Sequence, residues 1–198
     1  MPKIVDHHQR KEQLAEAAWR IIRREGLDSV SVRRVASEIG MSLGSVRHYF
    51  HSQDELLTFS MELVSRRVNE RILNSPYTGD IRQDMERVIW EMMPLDEVRR
   101  GEAEIWLAFA GRASSDESVA AISLSVHQQI REGLEKFIRL LVEQGHAAYG
   151  ELDADFEAAR LHALVDGLVV HAITRPELIT PEQIKDIVSR HLDHLFAR

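Results

Sequence analysis

Apolar residues recur every three or four positions along nearly the whole chain, and no segment sustains the alternation of a half-buried strand. A chain patterned this way can bury its stripes only by packing helix on helix. The first stripe, Leu14, Ala18, Ile21 and Ile22, predicts a helix over about 9–25 that Gly26 stops. Ser31 caps a short helix over 32–39, and Gly40 stands where a helix end needs a left-handed residue. Ser42 opens another, to about 50. Ser52-Gln53-Asp54-Glu55 reads as a capping box, with the Ser hydroxyl on the Glu55 amide and the Glu carboxylate reaching back. It starts a longer helix with Leu56, Leu57, Ser60, Leu63, Val64 and Val68 inward, ended by Asn74-Ser75-Pro76.

Asp80 and Gln83 open the next helix, to Met93. Asp96 caps one to about 113, and Ser114-Ser115-Asp116-Glu117 begins a long one reaching Gln144-Gly145. A loop with Tyr149-Gly150 leads to a helix over about 153–173, stopped before Pro176. At the last start Thr180 caps, Pro181 takes the first helical position and Gln183 the third. Ile179 and Ile184 stand where a hydrophobic staple forms. These signals predict about nine helices, no internal repeat and an all-α fold.

Composition removes several function classes. The chain has no cysteine, which excludes disulfides, thiolate-bound metals and thiol switches. No apolar run approaches the ~18–20 residues of a membrane span, and Met1-Pro2-Lys3-Ile4-Val5-Asp6 carries no signal-peptide core. A cytoplasmic protein with no membrane partner is expected. The net charge of −7 argues against nucleic acid only if it is evenly spread. Residues 1–52 hold nine basic and six acidic side chains, a net +3, with His7, His8, His48 and His51 besides, while the remainder carries −10. A basic end on an acidic body is what docking one end on a polyanion requires.

Residues 32–51, VRRVASEIGMSLGSVRHYFH, meet three demands of a helix-turn-helix together. Ala36 is small where two helices would cross. Gly40, four residues on, tolerates positive φ in the turn. Val35, Ile39, Met41, Val46 and Tyr49 supply the apolar contacts that hold the angle. The segment from Leu43 to Tyr49 then reads as the exposed face of a recognition helix short enough to enter a major groove. Gly44 lets backbone approach closely, and Ser45 can donate to a base edge or a phosphate. Arg47 is the candidate for bidentate reading of guanine, with Tyr49 stacking or touching the backbone. Arg34, Ser42, His48 and His51 are candidates for phosphate contacts, which position without specifying.

On these residues the first quarter of the chain resembles the TetR-type transcriptional regulators. The resemblance runs through Gly26-Leu27-Asp28-Ser29-Val30-Ser31-Val32-Arg33, Val35-Ala36, Gly40-Met41-Ser42, Gly44 to Phe50, and Ser52-Gln53-Asp54-Glu55-Leu56-Leu57. Leu164-Val165-Asp166-Gly167-Leu168 through Arg175-Pro176-Glu177-Leu178 looks like the closing helices of one subgroup. The resemblance implies a DNA-binding domain over 1–52, Arg33 at a position that reaches DNA, and a ligand-binding and dimerisation domain over 53–198. It implies a homodimer on a palindromic operator of double-stranded DNA, closed by a four-helix bundle of the last two helices. It implies a repressor released by a small molecule, with a ligand-dependent activator as the alternative, and no enzyme. Where the family usually places a lysine at the start of the fourth helix, this chain has Gln53, which removes one phosphate contact.

In the body, Trp90, Met92, Met93, Trp106 and Phe109 are large and adaptable enough to line an apolar ligand cavity. Arg112, His127, Gln128, Arg131, His162 and Asp166 are polar on otherwise apolar helices. His127 with Arg131, and His162 with Asp166, share a face at i, i+4. They either orient a ligand or are core polar pairs satisfied among themselves. No cofactor is expected beyond an unidentified effector. No metal site is expected, because no compact His, Asp and Glu cluster lies on one helix and His7-His8 sit near a terminus. A helical enzyme would need a convergent acid, base or nucleophile set, which the sequence does not offer. A helical carrier or interaction module with a merely structural corner is the other competitor.

Overall fold

The structure, a computed structural model, describes residues 7–147 and 152–196; the expected Tyr149-Gly150 loop and Met1 to Asp6 lie outside them. Among the described residues there are nine α-helices and no strand, so the fold is all-α. The helices are α1 (His7–Glu25), α2 (Val32–Glu38), α3 (Leu43–Arg47), α4 (Gln53–Asn74), α5 (Ile81–Met92), α6 (Glu97–Ala113), α7 (Glu117–Glu143), α8 (Ala154–Thr174) and α9 (Pro181–Leu195). A single 3₁₀ turn, Leu27–Ser29, follows α1.

Helix starts fall where side-chain oxygens satisfy the first free amides. Ser31 Oγ accepts from Arg34 N at 3.2 Å, Asp80 Oδ1 from Gln83 N at 3.1 Å and Asp153 Oδ1 from Phe156 N at 3.1 Å. Thr180 and Gln183 form the full reciprocal box, with Pro181 opening α9. At α4 the box is shifted. Ser52 Oγ accepts from Glu55 N at 3.0 Å, but the Glu55 carboxylate accepts from the amide of His51, one residue before the cap, at 2.8 Å.

The chain divides into two compact units. One comprises residues up to Arg67 with Glu104–Ser123, the other Val68–Ala103 with residues from Leu124 onward. In the first, Leu14, Ala18, Ile21, Val35, Val46, Phe50, Leu56 and Phe109 are at most 1% exposed. Burying each of the larger ones contributes about 1.5–3 kcal/mol. Three ion pairs join α1 to α4: Lys11 with Glu55 at 3.4 Å, Arg66 with Glu12 at 2.9 Å, and Arg67 with Glu16. Trp19 Nε1 donates to Ser60 O at 3.1 Å, tying the same two helices.

In the second unit Met85, Ile89, Leu134, Ile138, Leu161, Val188 and Leu192 form the core. Its polar hub is Arg71, absent from every sequence expectation. The guanidinium grips both carboxylate oxygens of Glu102, at 3.0 and 2.7 Å, and Glu91 Oε2 at 2.8 Å. Glu102 is buried, so this fork holds the end of α4 to α5 and α6 with charge-assisted bonds. Arg82 similarly ties α5 to α9 through Asp193 Oδ1 at 2.6 Å and Ser189 Oγ at 2.9 Å.

Candidate nucleic-acid interface

The turn between α2 and α3 is built by backbone chemistry. Gly40 has φ +67°, which a side chain would resist. Its amide donates to Ser37 O at 3.3 Å, and the Met41 amide donates to Ala36 O at 2.9 Å. These two bonds close α2 in a Schellman motif and swing the chain into α3. Ala36, 3% exposed, keeps the corner tight. Ser42 then caps α3, its Oγ accepting from Ser45 N at 3.1 Å and lying 2.8 Å from Ser45 Oγ.

The recognition helix is shorter than its sequence suggests, spanning Leu43–Arg47 with His48 as its cap. The amides of Tyr49 and Phe50 both turn back to Val46 O, at 2.9 and 3.0 Å, and Phe50 is fully buried. His48 and Tyr49 therefore belong to the following turn. Tyr49 is half-buried with its ring 4.7 Å from that of His7.

The basic residues divide sharply. Arg20 and Arg24 pair with Glu38, Arg24 and Arg34 with Glu25, and Arg23 with Glu104. Arg34 holds Glu25 below the usual carboxylate range, helped by Arg24; Arg24 does the same to Glu38, helped by Arg20. His51 is drawn to Glu55, whose carboxyl is lowered first by the His51 amide. Arg33, Arg47 and His48 are exposed and have no ion pair or side-chain hydrogen bond with other described residues. Leu43 is half-buried and Gly44 exposed. A Cβ built on Gly44 would meet only Ser42 Oγ, at 3.9 Å, so nothing inside the chain demands a glycine there.

The ligand candidates fall into three groups. Trp106, Phe109 and Arg112 sit on the part of α6 in the first unit; Arg112 pairs with Asp28 at 3.2 Å and Asp116 at 3.5 Å. Trp90 and Met93 close α5 in the second unit, Met93 fully buried and the Trp90 ring 5.8 Å from Lys185 Nζ. His127, His162 and Asp166 converge, with the two imidazoles 4.1 Å apart. Burial, then His127 and Arg131, push His162 down to about 4, while burial pushes Asp166 up. The sequence shows the His162–Asp166 pair at its i, i+4 spacing; only the packing of α7 on α8 adds His127.

A glycine-hinged pair of short helices presenting unpaired arginines is a helix-turn-helix DNA-binding module. Residues 14–58 match the family model described as bacterial regulatory proteins of the tetR family, and 81–197 match that of the BetI-type transcriptional repressor C-terminal region. The chain belongs to the TetR family, and is a DNA-binding transcriptional repressor by that membership. It is 37% identical to the HTH-type transcriptional regulator PksA of Bacillus subtilis (strain 168), over 98% of this chain and 94% of that one. The HTH-type transcriptional regulator BetI of Vibrio campbellii is 26% identical, over 98% and 95%. Among solved structures, a transcriptional regulator from Rhodococcus sp. Rha1 superposes with TM-score 0.80 at 32% identity, covering 93% of this chain and 95% of that one. A regulator from Saccharomonospora viridis in complex with choline shares the fold, with TM-score 0.81 at 22% identity over 96% and 100%. These relatives are regulators, and a carrier or interaction role is not favoured. No helix among the described residues is long and apolar enough to cross a membrane.

Proposed function

We propose that residues 1–52 read a palindromic operator as a homodimer and that a small molecule bound within 53–198 releases it. The observation that carries the reading is the contrast among arginines. Four of them (Arg20, Arg23, Arg24 and Arg34) are committed to carboxylates, while Arg33 and Arg47 stay exposed on the helix-turn-helix with no ion pair among the described residues. Arg47 reads a base and Arg33 supports it. Ser42, Ser45 and His48 position the backbone, Leu43 and Gly44 allow close approach, and Tyr49 lends its edge. Arg34 and His51 serve phosphate only by sharing with Glu25 and Glu55.

Dimerisation runs through α8 and α9. On the outward side of α8, Phe156 is 61% exposed, Ala163 is open and Val170 is half-exposed; Ile187 on α9 is 38% exposed. Small and apolar side chains on two adjacent helices suit a four-helix interface. Release follows when the effector favours a dimer whose two α3 helices no longer match the roughly 34–36 Å repeat of B-DNA. An effector with equal affinity for free and DNA-bound protein releases nothing.

Selection of bound genomic fragments at fixed salt, followed by footprinting and sedimentation, tests the reading. A dyad-symmetric footprint and a dimer of the chain are expected; a monomer or a footprint without dyad symmetry overturns it. Choline is the first compound to titrate against the complex.

A further inference from the structure

Three side chains from two helices converge inside the second unit: His127 of α7, and His162 and Asp166 of α8. One ligand atom of each, an imidazole nitrogen or a carboxylate oxygen, lies within 4.8 Å of the other two. One edge, His162 Nε2 to Asp166 Oδ1, is 3.6 Å. In a four-coordinate shell with bonds of about 2.0–2.2 Å, neighbouring donor atoms stand roughly 3.3–3.6 Å apart. That edge already has the length of one side of such a shell. His127 is exposed and its ring can swing to close the rest, while His162, 3% exposed, is held by packing.

His162 Nε2 is buried with no hydrogen-bond partner among the described residues. At 3.6 Å the carboxylate is too far to accept a proton from it. Left so, an imidazole nitrogen forfeits what water would have given it. An ion between the nitrogen and the oxygen satisfies both. The donor set is prepared for this. His162 is 3% exposed and Asp166 half-buried, so water has little access to either donor and an ion takes its place. Arg131, one turn beyond His127, opposes a cation, but it is exposed and screened by solvent.

We propose that His127, His162 and Asp166 bind one divalent transition-metal ion of the zinc class. Two imidazoles and one carboxylate suit such an ion better than magnesium or calcium, which favour all-oxygen shells. The ion pins α7 to α8. Three protein ligands leave a coordination position open to water or to a donor atom of a small molecule.

The test is calorimetric titration of zinc chloride into the full, tag-free chain, with His127→Ala, Asp166→Asn and a His7→Ala/His8→Ala control. His127 is exposed, so its truncation leaves the fold intact, and thermal melts of each variant verify this. The wild type and the terminal control are expected to bind one ion per chain, and the other two variants to bind at least tenfold more weakly. Cobalt(II) is expected to give visible absorption in the wild type that His127→Ala loses. Absence of zinc binding, binding that His127→Ala changes less than tenfold, or binding abolished by the terminal control overturns the proposal. None of these readouts depends on DNA, so the operator reading stands or falls separately.

Discussion

The DNA-reading segment and the body treat their polar groups differently. Among described residues up to His51, every buried side-chain nitrogen or oxygen has a partner from the same chain. Beyond it, Ser65 Oγ, Trp90 Nε1, Glu157 Oε2, His162 Nε2 and His191 Nε2 are buried without a hydrogen-bond partner among the described residues. The reader's polar groups are met by caps, a Schellman turn, carboxylates for most of its arginines and, for Trp19 and Arg23, by Ser60 and Glu104 further along the chain. The body keeps polar groups that its own described residues do not satisfy, and such groups are where a ligand or a second copy gains leverage.

The body's own anchor offers the largest way to break this contrast. Arg71→Ala leaves Glu102, 5% exposed, without its cation. A loss of roughly 3 kcal/mol is expected, a fall in thermal midpoint on the order of 10 °C. A midpoint moved by less than about 2 °C would show that the fork holds nothing. In the reader, Arg47→Ala should leave the melt within about 0.5 kcal/mol of wild type. It should cost about 1–3 kcal/mol of operator affinity, roughly five- to 150-fold, and relax the preference at one base pair. An unchanged footprint at matched salt would refute that assignment.

The pH response sharpens the body's side. His162 titrates near 6.5 when unfolded and at about 4 when folded, so the unfolded chain takes up the proton first as pH falls. Stability is full above about 6.5 and declines toward 4, and His191, lowered by burial, acts in the same direction. Melts with chelator present should show this acid limb and should show it flattened in His162→Gln. A wild-type midpoint constant from pH 7 to 5 would contradict it. The smallest effect is expected at Gly44. Gly44→Ala should gain up to about 0.5–1 kcal/mol of stability, since no neighbour obstructs a methyl, while weakening operator binding. Binding unchanged alongside higher stability would leave that glycine without a role at the interface.

Features set by neighbours a few residues apart were legible in the sequence: Ser31, Asp80 and Thr180 cap as their local patterns imply, and Gly40 turns where it must. The end of α3 was not: it stops at Arg47 with no glycine or proline there, where the Val46 carbonyl accepts from the amides of both Tyr49 and Phe50. Arg71 meets partners 20 and 31 residues away, and His127 meets His162 across two helices. No periodicity on one helix encodes either. The candidate DNA residues could be named from the motif, but which arginines were free depended on where Glu25, Glu38 and Glu104 folded to.

That internal pairing bears on how the protein finds its target among competing sequences. Nonspecific affinity for DNA comes from phosphates neutralised and counterions released, about 0.9 ion per contact. Arginines already neutralised by Glu25, Glu38 and Glu104 have little to release. Random chromosome should therefore hold this repressor weakly, with a shallow salt dependence, while Arg33 and Arg47, which pair with no described carboxylate, keep their full charge for DNA. Few copies are then lost to the rest of the genome, and a small cellular pool suffices to keep one site occupied.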